Sequence, residues 1–333
     1  LRLSVEPYGG GVWRGWLDRP LSVAGRVVIR QGDRLVSRLV NIDRDLLVIP
    51  GVAIHMDRSV NKGAELNPAV NLLPLLGCGK EPGAFRKLIA EAAGVREEHL
   101  LSTELFLYPR TKAVQTGLNG EFIVSPRLDD LQCVFGCLEG FLAAKPGGSL
   151  PVLAVFNNEE VGSSTRQGAD STFLTDVLER IAHGCGLDSE GWKAAVANSF
   201  MVSADNAHAI HPAHPEYADK GEYPVLGGGI VIKYNANQRY TTDAVSGAVF
   251  QTICQEAGVP VQRYSNRADL PGGSTLGNIS TAHLSVPTVD IGLPQLAMHS
   301  VCETAGAADT DYLVKAMTAY FSRDFHRDRD GGI

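Results

Sequence analysis

The length of 333 residues is more than one hydrophobic core usually serves, so we expect two domains or one large domain with an insertion. The composition, 44% hydrophobic and 20% charged, is typical of a globular protein, and no apolar run approaches the ~18 to 20 residues that span a bilayer. The net charge of −7 comes without a basic cluster, which argues against binding to nucleic acid or anionic lipid. Peptides or small molecules are the expected partners.

The six cysteines are scattered without a Cys-x-x-Cys pair, which argues against a thiolate zinc site or a redox pair. Cys133 and Cys137 lie four residues apart in a helical pattern and are expected in the core. Free thiols fit a reducing compartment, and no signal peptide opens the chain. A cytoplasmic location is therefore expected.

The predicted elements divide into two kinds along the chain. Short β-branched runs predict strands over residues 21–29, 38–42, 46–54 and 105–108, with one helix over 82–93. Further along, predicted strands at 150–156, 199–203 and 286–293 alternate with predicted helices at 130–144, 243–257 and 311–321. The first pattern is typical of a strand-rich module and the second of an α/β layered domain.

Acidic and imidazole side chains follow the predicted strands of the second half. Glu159 and Glu160 come after the first strand, Asp205 after the second and His299 after the third. In an open α/β sheet, groups at the carboxyl ends of strands meet in one crevice. Each also has a plainer interpretation, since adjacent glutamates are often solvated and a lone histidine is often a satisfied core residue.

A further acidic pair, Asp129-Asp130, stands at the start of a predicted helix, where helix capping is the plainer interpretation. His208 and His211, three residues apart, are interpreted as structural. Several acids with one histidine nevertheless match the ligands that two neighbouring divalent ions need, and adjacent carboxylates can divide metal binding from general-base work. A dinuclear site becomes the leading hypothesis.

The sequence resembles the M18 aminopeptidases, the aspartyl aminopeptidase family of clan MH, over nearly its whole length. The motifs that carry the resemblance include Ala53-Ile54-His55-Met56-Asp57-Arg58, Pro126-Arg127-Leu128-Asp129-Asp130-Leu131, Asn158-Glu159-Glu160-Val161-Gly162-Ser163, Ser203-Ala204-Asp205-Asn206-Ala207-His208 and Ala297-Met298-His299-Ser300. The pattern from Gly227 to Tyr240 favours this family over sister metallopeptidases and deacylases of the same clan.

The resemblance implies a layered α/β/α metallopeptidase domain with an inserted β-rich dimerisation domain. Its boundaries would be residues 1–10 and 120–333 for the catalytic domain and 11–119 for the insertion. It also implies a homododecamer built from dimers, whose active sites face an interior chamber.

The resemblance further implies a role for each site residue. Asp129 would bridge two metal ions, Asp205 would bind one of them, and Glu160 and His299 the other. Glu159 would be the general base, and Asp130 would support a ligand. The residues implied to contact the substrate are His55 from a neighbouring subunit, Lys233, Gly273, Ser274 and Thr275.

One departure from the family concerns the first metal. Family members carry a histidine ligand in a His-Thr-Asp-Ser-Pro motif, which these 333 residues do not contain and which we expect upstream of Leu1. Without that ligand, a non-catalytic scaffold is the alternative function.

The expected ions are zinc, with cobalt or manganese as alternatives, and the expected reaction removes N-terminal residues from peptides. Lys233 indicates a preference for aspartyl or glutamyl residues, but a surface lysine and a neutral preference stay open.

Overall fold

The computed structural model describes residues 1–270 and 272–325. The chain forms two compact units, Leu1–Lys112 and Ala113–Ile333. Residues 1–10, predicted to join the catalytic domain, fall in the first unit, since the Leu3 amide donates to the Pro74 carbonyl at 3.0 Å and the Leu76 amide donates to the Leu1 carbonyl at 2.9 Å. Within the described ranges no helix combines the length and hydropathy needed to cross a bilayer.

The first unit is built on a three-stranded antiparallel sheet of order β2-β1-β3, with β1 at Leu21–Gln31, β2 at Arg34–Asn41 and β3 at Leu100–Pro109. Apolar side chains of β1, among them Leu21, Val27 and Ile29, are buried. The helices are α1 at Pro68–Asn71 and α2 at Ala84–Ala92, and Ile89 of α2 joins the same core. The predicted helix over 82–93 is therefore present.

The expected strand over residues 46–54 is wrong. Only Leu47 and Val48 form isolated bridges, to Leu21 and Leu75 respectively. The segment then meets Pro50 and Gly51, which do not continue a ladder, because proline lacks the amide donor and glycine disfavours a strand.

The described residues of the second unit form two sheets. The four-stranded sheet has the order β6-β10-β8-β9, with β6 at Met201–Ala204, β8 at Ile230–Tyr234, β9 at Val261–Ser265 and β10 at Thr288–Gly292. The five-stranded sheet has the order β4-β5-β12-β11-β7, with β4 at Val114–Thr116, β5 at Phe122–Ser125, β7 at Ala207–His208, β11 at Pro294–Leu296 and β12 at Glu303–Gly306. Strand β10 pairs in parallel with β6 and antiparallel with β8.

Six helices accompany these sheets in the described part of the second unit: α3 at Leu128–Ala143, α4 at Phe173–Gly184, α5 at Ser189–Ala197, α6 at Ala244–Glu256, α7 at Leu276–His283 and α8 at Ala307–Phe321. Side chains from α3, α6, α8 and the strands β8 and β10 form one buried core, which includes Cys133 and Cys137 as expected. The α/β fold class predicted from the sequence is confirmed.

Two glycines of α3 allow close packing against α8. A Cβ on Gly136 would lie 2.6 Å from a methyl carbon of Leu313. A Cβ on Gly140 would lie 2.5 Å from the Met317 Cβ and 3.0 Å from backbone atoms of Met317 and Thr318. Both contacts are far below ordinary van der Waals distance, so neither position has room for a methyl group unless its neighbours move.

The strand expected over residues 150–156 has no ladder partner in the described part of the chain. Val152 and Val155 are exposed, so no neighbouring sheet covers their side chains. An apolar run has the composition of a buried strand, but composition does not determine whether another strand pairs with it. The carboxyl-end argument therefore fails for Glu159 and Glu160, which a turn positions instead.

Candidate metal centre

The two adjacent glutamates lie on a single 3₁₀ turn, Glu159–Val161. The residue before it, Asn158, has φ of 60°, in the left-handed region that asparagine tolerates better than most residues. The turn is closed by the Gly162 amide, which donates to the Glu159 carbonyl at 2.8 Å, and by the Ser163 amide, which donates to the Asn158 carbonyl at 3.0 Å. These backbone bonds fix the backbone positions from which the side chains of Glu159 and Glu160 extend.

Asp129 and Asp130 occupy the first turn of α3, and the peptide bond between them is cis. The residue at the helix N-cap is Arg127, with φ of 60°, and it supplies no side-chain cap. The Asp129 amide instead donates to Oε2 of Glu303 at 2.9 Å. The capping interpretation of the acidic pair is thus not what the geometry shows, since both aspartates depart from helical backbone angles and the Asp129 amide bonds Glu303.

Asp205 follows β6 directly, as the strand-end argument predicts, and its amide donates to the Ile291 carbonyl at 3.1 Å. The Lys233 ammonium of β8 lies 3.9 Å from Oδ2 of Asp205 and donates to the Asn206 carbonyl at 2.8 Å. Lys233 is only 2% exposed, so the surface-lysine alternative is wrong.

His299 lies in the loop between β11 and β12 with φ of 62°. Its Nε2 is 3.2 Å from Oδ2 of Asp129 and 3.3 Å from Oε2 of Glu160. Its amide donates to Oε1 of Glu303 at 2.8 Å. The contact with Asp129 raises the pKa of His299 to about 9.

Two groups of metal-competent atoms form here, and they share one residue. Asp129, Glu160 and His299 each place a ligand atom within 4.8 Å of the others, and so do Asp129, Asp130 and Asp205. The structure therefore brings together Asp129, Glu160, Asp205 and His299, as the sequence predicts. Asp130, expected only to support a ligand, has an oxygen within the second group.

The charges of the centre fit a divalent cation. Burial raises the pKa of Glu160 to about 7. Burial, followed by the charge of Asp129, also raises the pKa of Glu159. Burial raises the pKa of Asp205 despite the nearby Lys233 ammonium. Oδ1 of Asp130 is buried and receives no hydrogen bond. Crowded carboxylates with too few donors are the environment that a divalent cation balances.

A cavity of about 330 Å³ lies in the same unit. Its lining includes His208, Arg267, Gly273 and Ala297, the last of which is two residues before His299. Burial lowers the pKa of His208, which lies three residues after Asp205 in the chain. A volume of this size holds a small ligand.

The remaining predicted substrate residues have different surroundings. Thr275 is buried and donates through Oγ1 to Oδ1 of Asp290 at 2.9 Å, whereas Ser274 is exposed. His55 lies exposed on a turn of the first unit. Its role across subunits stays a prediction.

Sequence reasoning missed Glu303, whose carboxylate accepts bonds from the amides of both Asp129 and His299. A glutamate four residues after His299 was the available signal, but its partner Asp129 is 174 residues away in the chain. Periodicity gives no information on such a pairing.

Comparisons with known proteins identify the family of this chain. The family described as aminopeptidase I zinc metalloprotease (M18) matches residues 1–321. A protein of Clostridium acetobutylicum named probable M18 family aminopeptidase 2 is 45% identical over 97% of this chain and 76% of its own length. A Pseudomonas aeruginosa protein of the same name is 41% identical, over 97% of this chain and 75% of its own length.

Solved structures with this fold include Ape4 in complex with Nbr1, with a TM-score of 0.91 and 37% identity over 96% of this chain and 66% of that one. The mApe1 dodecamer of S. cerevisiae has a TM-score of 0.79 and 26% identity over 96% of this chain and 73% of that one. The family match covers nearly all of the sequence, and the curated relatives exceed 40% identity over three quarters of their length. The chain therefore belongs to the M18 family of zinc metalloaminopeptidases.

Proposed function

We propose that this protein is a two-metal aminopeptidase that removes single N-terminal residues from peptides. The observation that carries the proposal is the position of Asp129, which belongs to both groups of metal-competent atoms. A carboxylate has two oxygens and can bind one ion with each, so a shared aspartate is the natural bridge of a dinuclear site.

In this proposal Glu160 and His299 complete one site with Asp129, and Asp205 contributes to the other. Oδ1 of Asp130, which has no hydrogen-bond partner among the described residues, adds a direct ligand role to the supporting role implied by the family resemblance. Mixed oxygen and imidazole ligands suit zinc, with cobalt or manganese as alternatives. The family's upstream histidine would complete the second group.

When bound, two such ions supply a water of lowered pKa and polarise the scissile carbonyl. The chain's own contribution to proton transfer is Glu159. Burial raises the pKa of this carboxyl, which brings it closer to the working pH, where a general base is most effective. The Glu159 carboxylate takes the proton from the attacking water and delivers it to the leaving amine.

For the substrate we propose an acidic N-terminal residue. Lys233 is a buried cation beside the centre, and one of its three N–H donors is used by the Asn206 carbonyl. Its remaining donors can face a carboxylate of the substrate as well as Asp205.

We further propose a cytoplasmic homododecamer built from dimers, with His55 of one subunit contacting the substrate of another. The mApe1 neighbour is itself a dodecamer, and the exposed position of His55 leaves its imidazole free to act outside its own unit. Dilution until the assembly dissociates should abolish activity without releasing metal. Activity that persists in monomers would contradict the role of His55.

The test of the reaction itself is the change Glu159→Gln, which keeps the size of the side chain and removes the base. Turnover of N-terminal aspartyl, glutamyl, leucyl and alanyl peptides should fall by about 10² to 10⁴-fold, because that is the usual contribution of a general base. Zinc content should stay at the wild-type value. Turnover within tenfold of wild type would reject the assignment.

The same substrate panel tests specificity in the wild-type protein and in Lys233→Met. An acidic preference that Lys233 supports should be lost in the variant while the rate on alanyl peptides changes less. Equal rates on all four substrates in the wild type would reject the acidic preference and leave the aminopeptidase assignment intact.

A further inference from the structure

We propose that Glu303 is a positioning residue that holds two metal ligands in place through their backbones, an inference that rests on the proposed metal centre. Its side chain is 3% exposed at the start of β12. Oε1 accepts a hydrogen bond from the His299 amide at 2.8 Å, and Oε2 accepts one from the Asp129 amide at 2.9 Å. Each oxygen thus restrains one ligand of the same group.

His299 needs such a restraint because its backbone is in a disfavoured conformation. Its φ of 62° lies in the left-handed region, and Ala297 two residues earlier has φ of 57°. Residues other than glycine adopt this region uncommonly, and although histidine tolerates it better than alanine, two such residues so close together need surroundings that fix the loop. The bond from the His299 amide to Glu303 supplies that fixation four residues along the chain.

Asp129 needs a restraint for a different reason. The backbone angles of Asp129 (φ −80°, ψ 112°) and Asp130 (φ −112°, ψ 21°) are not helical, so the Asp129 amide lies outside the regular hydrogen bonding of α3 and needs an acceptor elsewhere. Glu303 provides the acceptor for the Asp129 amide from a distant part of the sequence.

Glu303 is distinct from the ligands themselves. Both of its oxygens are engaged by backbone amides, and it belongs to neither of the two metal-competent groups found among the described residues. Bonds from a neighbouring carboxylate orient metal ligands in many proteins, and their removal typically lowers metal affinity about 10 to 100-fold.

A matched control exists in Asp309, which is also buried and also accepts two backbone amides. Its donors are Gly227 at 2.8 Å and Gly229 at 2.9 Å, neither of which is a metal ligand. The variants Glu303→Gln and Asp309→Asn each remove one charge and weaken two bonds. They should lower the stability of the metal-free protein to a similar degree, and only the first should affect metal binding.

The experiment measures Zn²⁺ affinity by competition with a chromophoric chelator, together with denaturant unfolding of the metal-free proteins. We expect E303Q to lose about 10 to 100-fold in Zn²⁺ affinity and D309N to stay within twofold of wild type. A third variant, Glu303→Asp, keeps the charge but is one methylene shorter and cannot reach both amides. It should lose affinity as E303Q does.

Wild-type affinity in E303Q, or an equal loss in D309N, would overturn the positioning role. If E303Q does not fold, E303D decides: wild-type affinity in E303D would show that charge, rather than the two bonds, is what matters and would likewise overturn it. If the wild-type protein binds no Zn²⁺, the proposed function fails together with this inference. If the wild-type protein binds Zn²⁺ and both E303Q and E303D bind it equally well, the positioning role fails and the proposed function stands.

Discussion

The second unit buries carboxylates in two different settings. Asp290 and Asp309 are surrounded by donors: Asp290 accepts from Oγ1 of Thr241 at 2.8 Å and from Oγ1 of Thr275 at 2.9 Å, and Asp309 accepts from two glycine amides. At the candidate metal centre the carboxylates face one another, and Oδ1 of Asp130 receives no hydrogen bond from the described residues.

This difference separates acids that stabilise the fold from acids that we propose as ligands of a cation. A buried carboxylate with backbone and hydroxyl donors is satisfied within the protein, as buried polar groups usually are. A cluster of carboxylates that share few donors, here the imidazole of His299 and the ammonium of Lys233, is costly unless a metal supplies further positive charge. The pattern of donors, more than burial or the number of acids, identifies the site.

The largest effect is expected for Asp129→Ala, which removes the residue shared by both groups of metal-competent atoms and so tests whether the clustered carboxylates bind metal. We expect Zn²⁺ affinity to fall more than 100-fold, a loss above about 2.7 kcal/mol, because each ion loses a ligand. Thermal unfolding with and without Zn²⁺ measures it: the wild type should gain about 2.7 kcal/mol at a free concentration 100 times Kd, and the variant should gain almost nothing. Full occupancy of both sites in D129A would refute the bridging role.

Asp309 tests the other side of the comparison through the pH dependence of the unfolding free energy. Burial raises its pKa to about 6 from an ordinary 3.8, so the folded protein binds this proton more tightly than the unfolded chain. The resulting stability is present below about pH 4 and is lost as the pH rises through about 6. Between pH 4 and pH 7 the unfolding free energy of the wild type should therefore fall, relative to that of D309N, by on the order of 2 kcal/mol. Denaturant unfolding of both metal-free proteins between pH 4 and 7 measures this, and a constant difference would contradict it.

The smallest effect is expected for Thr275→Val, which removes one of the donors to Asp290. Since Asp290 keeps the amide and hydroxyl of Thr241, the cost should be about 1 kcal/mol. Thr275→Ser, which keeps the hydroxyl, is the matched control. A loss that depends on added Zn²⁺ would show that Asp290 does not belong with the satisfied acids.

Much of the fold was predictable because its elements carry local signals. The strand β1, the helix α2 and the long helices α3 and α8 follow from apolar periodicity, which depends on near neighbours in sequence. The segment 150–156 was predicted wrongly, since composition reports what a strand contains and not whether another strand pairs with it.

The candidate site was predicted as a set of residues, chiefly through the family resemblance, and its geometry was not. The turn that holds Glu159, the burial of Lys233 and the two bonds of Glu303 all depend on long-range packing. A sequence pattern carries no direct record of such contacts.

The close approach of α3 and α8 has a genetic consequence. Gly136 is opposed by side-chain atoms of Leu313, so an alanine there could be suppressed by a smaller residue at 313. Gly140 is opposed by backbone atoms of Met317 and Thr318 as well, and backbone cannot be trimmed by mutation. Selection for second-site revertants should therefore recover partners for Gly136→Ala and none on α8 for Gly140→Ala, although neither glycine carries a functional group.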